Sequence, residues 1–158
     1  MSLEELLRSR AIRRIKPNHG LALNSIRRAR RDIDTAKTLI ANKKFDWSLA
    51  VSYNAMLVAG RALMFDRGYR PSSTEGHVVV LKFLHATFGN EAGERTVMVM
   101  NGMRKKRHRV VYEEIDIVSE DEAEQAVKWA EEFVSLAENT VHRTKAKNRR
   151  RIDTSKST

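Results

Sequence analysis

The chain has 158 residues, which fits one domain with a single core and at most a short tail. Its apolar fraction of 41% and charged fraction of 32% exclude disorder of the whole chain, and the lack of cysteine excludes disulfides and thiolate metal sites. Neither a signal-peptide core nor an apolar run of about 18 residues is found, so we expect a cytoplasmic protein.

The net charge of +10 is unevenly distributed. Segments 1–31, 104–109 and 143–158 hold 21 of the 30 Lys and Arg residues, whereas segment 113–138 holds ten of the 20 acidic residues and a single base, Lys128. This polarity favours a basic surface that attracts a polyanion, set apart from an acidic helix. The alternative is a solvated surface without a partner.

The N-terminal part, residues 1–20, is predicted to form a short helix and a linker. Ser2 and Glu5 have the spacing of a capping box, which predicts a helix over about 2–13. A first long helix then begins near Leu21 and continues to about residue 42. Its apolar residues recur every three to four positions and form one narrow stripe: Ala22, Ile26, Ala29, Ile33, Ala36 and Ile40.

The second long helix is predicted over about 46–67, with Asp46 as its N-cap and Gly68 just beyond its end. Apolar and small residues occupy most of its circumference, so we expect it to be the most buried element. Residues 47–65 carry more apolar surface than one small bundle is expected to cover. This predicts a homodimer through this helix and the helix predicted over 91–111.

The rest of the chain predicts three more helices. Ser72 and Glu75 offer a second capping box before a helix over about 73–88, and a helix over about 91–111 carries the basic run. Ser119 with Glu122 precedes a helix over about 120–142. Segment 143–158 is basic and polar and is predicted to be a disordered tail. With no strand pattern, the chain predicts an all-α fold, an antiparallel up-and-down bundle of four to five helices over residues 21–142.

Several stretches of this bundle resemble the HEPN domain family. The second long helix contains D-W-x-x-A-x-x-x-Y-N-A-M-x-x-A-x-R-A-L and is followed by G-Y-R-P. E-G-H-V-V-V-L-K-F-L, M-R-K-K-R-H-R-V-V-Y-E-E and A-E-E-F-V follow in family order. The resemblance covers about residues 21–142. Its most specific parts are segments 53–56 and 107–112.

Membership in this family would imply a helical bundle that is usually a homodimer. The family includes metal-independent ribonucleases, toxins paired with a minimal nucleotidyltransferase antitoxin, and modules that bind RNA or nucleotides. Its catalytic signature is an Arg followed, after four to six residues, by a His shortly before a Tyr. Here three residues separate Arg104 from His108, and Tyr112 lies four residues further on.

Arg104, His108 and Tyr112 follow i, i+4, i+8 spacing and should project along one helix face. A metal-free ribonuclease needs a base that titrates near pH 7 and cations that stabilise phosphorane charge, which His108 and Arg104 or Arg107 could supply. Alternatively, His108 merely contacts phosphate or solvent. Tyr112 either stacks on a base or orients substrate, or it packs its ring on the neighbouring helix. The remaining cations of the run are candidate polyanion-binding residues: Lys105, Lys106 and Arg109.

Four polar residues are predicted to be structural, in the core or at a dimer interface. Tyr53 and Asn54 lie in the most apolar helix and need hydrogen-bond partners if buried. Arg61 either extends to solvent or pairs with an acid from the helix predicted over 120–142. His77 is expected to hydrogen-bond toward the second long helix.

Two functions follow, and no cofactor or metal is expected with either, because no metal-ligand spacing or phosphate-binding glycine loop occurs. The favoured function is a non-catalytic module that binds RNA, a nucleotide or a nucleotidyltransferase partner through the 104–109 run. The alternative is a metal-independent endoribonuclease that uses His108 with Arg104 or Arg107 at a dimer interface.

Overall fold

The computed structural model describes residues 1–73 and 76–156. Within these ranges the chain is all-α apart from one small sheet. The elements, in chain order, are α1 (Leu3–Arg8), β1 (Ile12–Arg14), α2 (His19–Ala41), α3 (Phe45–Arg67), β2 (Tyr69–Pro71), α4 (His77–Thr87), α5 (Glu91–Tyr112) and α6 (Glu120–Lys156).

Helix α3 is the centre of the bundle, and α2, α4, α5 and α6 pack around it. Alanine and glycine allow this close approach. A Cβ atom added to Gly60 would lie 2.6 Å from Cγ1 of Val80 on α4, so only glycine fits there without a shift of its neighbour. The predicted stripe of α2 is buried from Ala22 to Ala36. The expected all-α bundle is therefore confirmed, and its most buried helix is α3, the second of the long helices, as predicted.

The apolar character of α3 is used inside the bundle. By length and composition α3 could cross a membrane, but 78% of its apolar stretch of 18 residues is buried among the helices of the same chain. The premise of our dimer prediction was therefore wrong, because the monomer itself covers most of residues 47–65. An exception is Trp47, which is 55% exposed. The homodimer itself stays a prediction.

The N-terminal segment is joined to the bundle by a two-stranded antiparallel sheet. The predicted capping box is present, because the Ser2 hydroxyl accepts from the Glu5 amide and the Glu5 carboxylate accepts from the Ser2 amide. The helix ends at Arg8, however, and β1 pairs with β2 in the register Ile12 to Pro71 and Arg14 to Tyr69. The expectation of no strands was wrong, because strands of three residues are too short to produce an alternating pattern.

Three other helix ends differ from prediction. Asp46 is not an N-cap, because α3 begins one residue earlier and the Asp46 carboxylate accepts from the amides of Asp116 and Val118 at 2.7 and 2.9 Å. Helix α4 begins at His77, and Glu75 of the predicted capping box lies outside the described residues. Helix α6 continues to Lys156 rather than ending near His142, since Lys, Arg and Ala extend a helix that buried residues have already begun.

Candidate functional site

A buried tyrosine and a half-buried histidine join α3 to α4. Tyr53 is fully buried, and its hydroxyl lies 3.1 Å from Nδ1 of His77, the first residue of α4. The two ring centroids are 5.7 Å apart. The hydrogen bond gives each ring the polar partner that burial requires, and its direction depends on the imidazole tautomer. The expected contact of His77 with the second long helix is therefore present.

Three arginines lie close enough to this pair for their charges to lower the pKa of both rings, and we call them the inner arginine cluster: Arg61 from α3, with Arg104 and Arg107 from α5. Arg104 and Arg107 are three residues apart and so share one face of α5. Burial raises the pKa of Tyr53 to about 12, and the charges of Arg104, Arg107 and Arg61 partly oppose this rise. The hydroxyl of Tyr53 therefore stays protonated near neutral pH.

The same surroundings keep His77 uncharged. Burial lowers the pKa of His77, and the positive charges of Arg107, Arg61 and Arg104 lower it further. Because both rings are neutral near pH 7, the pair supplies no negative charge to the arginines. We call this neutral pair the floor of the site, and the three guanidinium groups of the inner arginine cluster lie near it.

The described part of the chain gives the inner arginine cluster no carboxylate partner. Within residues 1–73 and 76–156, neither Arg61 nor Arg107 forms an ion pair, and Arg104 donates to the neutral amide oxygen of Asn101 at 3.0 Å. Burial lowers the pKa of Arg61, and the charge of Arg28 on α2 adds to this effect, while Tyr53 opposes it. Several positive charges thus share a partly buried site to which the described residues bring no counter-charge, and this favours the binding of an anion.

Two other cations of the 104–109 run point elsewhere and have acidic partners. Lys106 pairs with Glu122 of α6 at 3.2 Å, and Arg109 pairs with Glu114 at 2.6 Å. Lys105 is exposed. The run therefore does not form one uniform surface. The helix turns Arg104 and Arg107 toward the Tyr53–His77 pair, whereas it turns Arg109 toward Glu114 in the loop after α5.

His108 and Tyr112 lie outside the inner arginine cluster. The His108 side chain is 61% exposed, with Nε2 3.8 Å from a Glu113 carboxylate oxygen. Its ring centroid lies 5.0 Å from that of Tyr112, as the i, i+4 spacing predicts. The expectation that Tyr112 packs on a neighbouring helix was wrong, because its ring contacts His108 of the same helix at a tilt of 45° and the residue is 71% exposed.

Asn54 and Arg61 were both predicted to be structural, and they differ. Nδ2 of Asn54 donates to Asp32 of α2 at 2.9 Å, which joins the two helices. Arg61 instead belongs to the inner arginine cluster, and the acidic partner suggested for it is not found among the described residues. No sequence signal separates these two roles, since both residues interrupt the same apolar helix. No group of three or more His, Asp or Glu side chains in the described ranges could hold a metal ion.

The architecture and this site define an all-α bundle whose central helix carries a cation-rich polar cluster. A family model, the HEPN domain, matches residues 22–140. Since the match covers most of the chain, the protein belongs to the HEPN family, and the resemblance noted in its sequence is confirmed. No curated relative was found to match the chain.

Proposed function

We propose that this HEPN protein is a module that binds RNA or a nucleotide, with the inner arginine cluster as its phosphate-binding centre. The observation that carries the proposal is that Arg61, Arg104 and Arg107 lie near a neutral Tyr53–His77 pair and have no carboxylate partner among the described residues. Guanidinium groups bind phosphate oxygens in a bidentate fashion and keep their charge when partly buried.

The chemistry of the site favours phosphate over other anions. A phosphate offers enough acceptor oxygens for three guanidinium groups at once, whereas a carboxylate is saturated by one or two. The exposed cations nearby, such as Lys105, would attract the remaining phosphates of a longer chain through weaker contacts. A minimal nucleotidyltransferase is the protein partner that we propose for this module, as in the paired systems of the family.

The proposal predicts that Arg104 and Arg107 contribute more to RNA affinity than two other cations of the 104–109 run. In Arg104→Gln/Arg107→Gln, binding of a fluorescein-labelled single-stranded RNA should weaken at least about a hundredfold, because each of the two charged hydrogen bonds lost contributes about 1.5–3 kcal/mol. The matched control Lys105→Gln/Arg109→Gln removes the same charge and should weaken binding only severalfold. Fluorescence anisotropy measures both affinities.

The salt dependence of the same titrations separates contact from general attraction. Each phosphate contact adds about 0.7 to the log–log salt slope for single strands, so the first variant should lose about 1.4 and the control less. Equal losses in the two variants would mean that only net charge matters. Unchanged binding in both would contradict the proposal.

A second candidate function is cleavage of RNA without a metal, with His108 as the base and Arg104 or Arg107 stabilising the phosphorane at a dimer interface. The exposure of the His108 imidazole favours it, because the ring is accessible to a substrate. The activity would suit the toxin of a toxin–antitoxin pair. We expect the purified chain, incubated with structured RNA and EDTA, to leave it intact. Cleavage that His108→Ala abolishes and His77→Ala preserves would establish the enzyme instead.

A further inference from the structure

A cavity lies between α3, α4, α5 and α6, and none of its lining residues belongs to the inner arginine cluster. Its volume is about 420 Å³, within the range of small-molecule sites. Large apolar side chains form its floor and walls. Leu63, Leu84 and Phe133 are buried, Phe88 is partly buried, and Leu136 is 50% exposed although it lines an apolar cavity.

Three cations also line the cavity, and we call the part of the lining that they form its mouth. Arg67 from the end of α3 lies over the ring of Phe88, with its guanidinium carbon 4.4 Å from the ring centroid. Arg143 and Lys147, one turn apart on α6, line the same cavity. The lining residues described here include no carboxylate. The lining of the cavity thus combines large apolar side chains with three cations.

The hydroxyl groups of α6 in the wall already serve their own helix. Thr140 donates to the carbonyl of Leu136 at 2.8 Å, and Thr144 donates to the carbonyl of Thr140 at 3.1 Å. The side-chain oxygen of Asn90 accepts from the amide of Gly93. These walls therefore suit a hydrocarbon better than a nucleobase, whose edge needs several hydrogen-bond partners.

We propose that this cavity binds an amphipathic anion, an unbranched hydrocarbon chain of about ten carbons with a carboxylate or phosphate monoester head. A methylene group occupies about the 30 Å³ of a water molecule, so ten carbons fill about 300 Å³ of the cavity. The hydrocarbon chain of the ligand would lie on Leu63, Leu84 and Phe133. The head would lie between the cations of the mouth.

Calorimetric titration of the full chain, with every amphiphile below its micelle concentration, tests the head group. Decanoate and decyl phosphate should both bind, and a difference between them identifies which head the mouth prefers. Decanol should bind about tenfold more weakly than the better anion, because a charged hydrogen bond is lost. Decyltrimethylammonium should not bind. Equal binding of the anion, the alcohol and the cation would overturn the proposal.

Chain length tests the apolar floor. From hexanoate to decanoate, each added methylene should strengthen binding about fourfold, because a buried methylene contributes about 0.8 kcal/mol. The gain should end once the cavity is full. A series without any gain would mean that the chain lies in solvent and would also overturn the proposal.

Two variants of matched charge locate the site. Arg143→Gln/Lys147→Gln should weaken decanoate binding at least about tenfold and leave decanol binding unchanged. Arg149→Gln/Arg150→Gln removes two exposed cations that are not in the lining and should bind decanoate like the parent. Leu136→Glu places a carboxylate in the apolar wall at a half-exposed position and should abolish the binding of both decanoate and decanol. Equal decanoate binding by the two double variants would overturn the proposal.

Discussion

The two sides of α5 carry similar charges in different surroundings. On the inner side, Arg104 and Arg107 approach a buried, neutral Tyr53–His77 pair and have no carboxylate partner among the described residues. On the outer side, Lys106 and Arg109 are neutralised by Glu122 and Glu114. The same run of cations therefore produces an anion site on one side and ordinary surface ion pairs on the other.

The difference shows that a basic run is not a site until its partners are known. Surface ion pairs contribute little to stability and reduce the attraction of their cations for a polyanion. Unpaired arginines beside a low-dielectric floor keep their full attraction for an anion. The two histidines provide the same contrast, since His77 is part of that floor and His108 is an exposed residue in contact with the ring of Tyr112.

Replacing these two histidines should sharpen the contrast most. His77→Ala leaves the buried hydroxyl of Tyr53 without its partner and should cost about 1–3 kcal/mol of unfolding free energy. For a chain of this size, that lowers the melting temperature by about 2–4 °C per kcal/mol. His108→Ala should change stability by less than about 0.5 kcal/mol. Thermal unfolding followed by circular dichroism measures both.

A double variant separates the hydrogen bond from simple loss of packing. Tyr53→Phe/His77→Ala removes both polar groups and should be no less stable than His77→Ala alone, since no hydroxyl is left unpaired. A double variant as destabilised as the sum of its single changes would show that the contact between Tyr53 and His77 contributes nothing by itself.

The effect of pH on stability should be smaller than the effect of His77→Ala, and it should also distinguish the two histidines. The pKa of His77 is lowered in the folded chain, so the unfolded chain takes up a proton first as the pH falls below about 6.5. Stability should therefore decrease through that range, by at most about 1.4 kcal/mol per pH unit for one proton. Urea unfolding at several pH values measures this loss.

Two variants serve as controls for that titration. His77→Ala should remove this contribution to the pH dependence, whereas His108→Ala should keep it. Arg104→Gln/Arg107→Gln should raise the pKa of His77 and reduce the loss, because two of the charges that oppose its protonation are gone. The same loss in the parent and in His77→Ala would show that other groups cause it.

Periodic signals in the sequence predicted the bundle well and its site only in part. The stripe of α2, the order of the long helices and the caps at Ser2 and Ser119 depend on local spacing, which a single sequence displays. The pairing of β1 with β2 and the Asp46 contact with the loop before α6 join residues more than 50 positions apart. No local pattern encodes such contacts.

The site shows the same limit. Spacing correctly placed His108 beside Tyr112 on one helix face. It could not show that Arg107 faces His77 while Arg109 meets Glu114, because each outcome depends on which helix packs against that side of α5. The place of Arg61 in this site, and of Arg28 beside it, was missed for the same reason, since these two residues come from α3 and α2.

The smallest expected effect concerns the C-terminal part of α6. Deletion of residues 143–158 should change the melting temperature by less than about 2 °C, because the last buried residue of the helix is Val141 and Ile152 is 53% exposed. The helical signal in circular dichroism should fall if α6 reaches Lys156 in solution, and it should stay nearly constant if this segment is disordered as its composition predicted. A larger drop in melting temperature would mean that the segment docks on the bundle. The same deletion removes Arg143, Thr144 and Lys147 from the cavity, so a truncated chain that melts like the parent yet no longer binds decanoate would show that this end of α6 serves the ligand and not the fold.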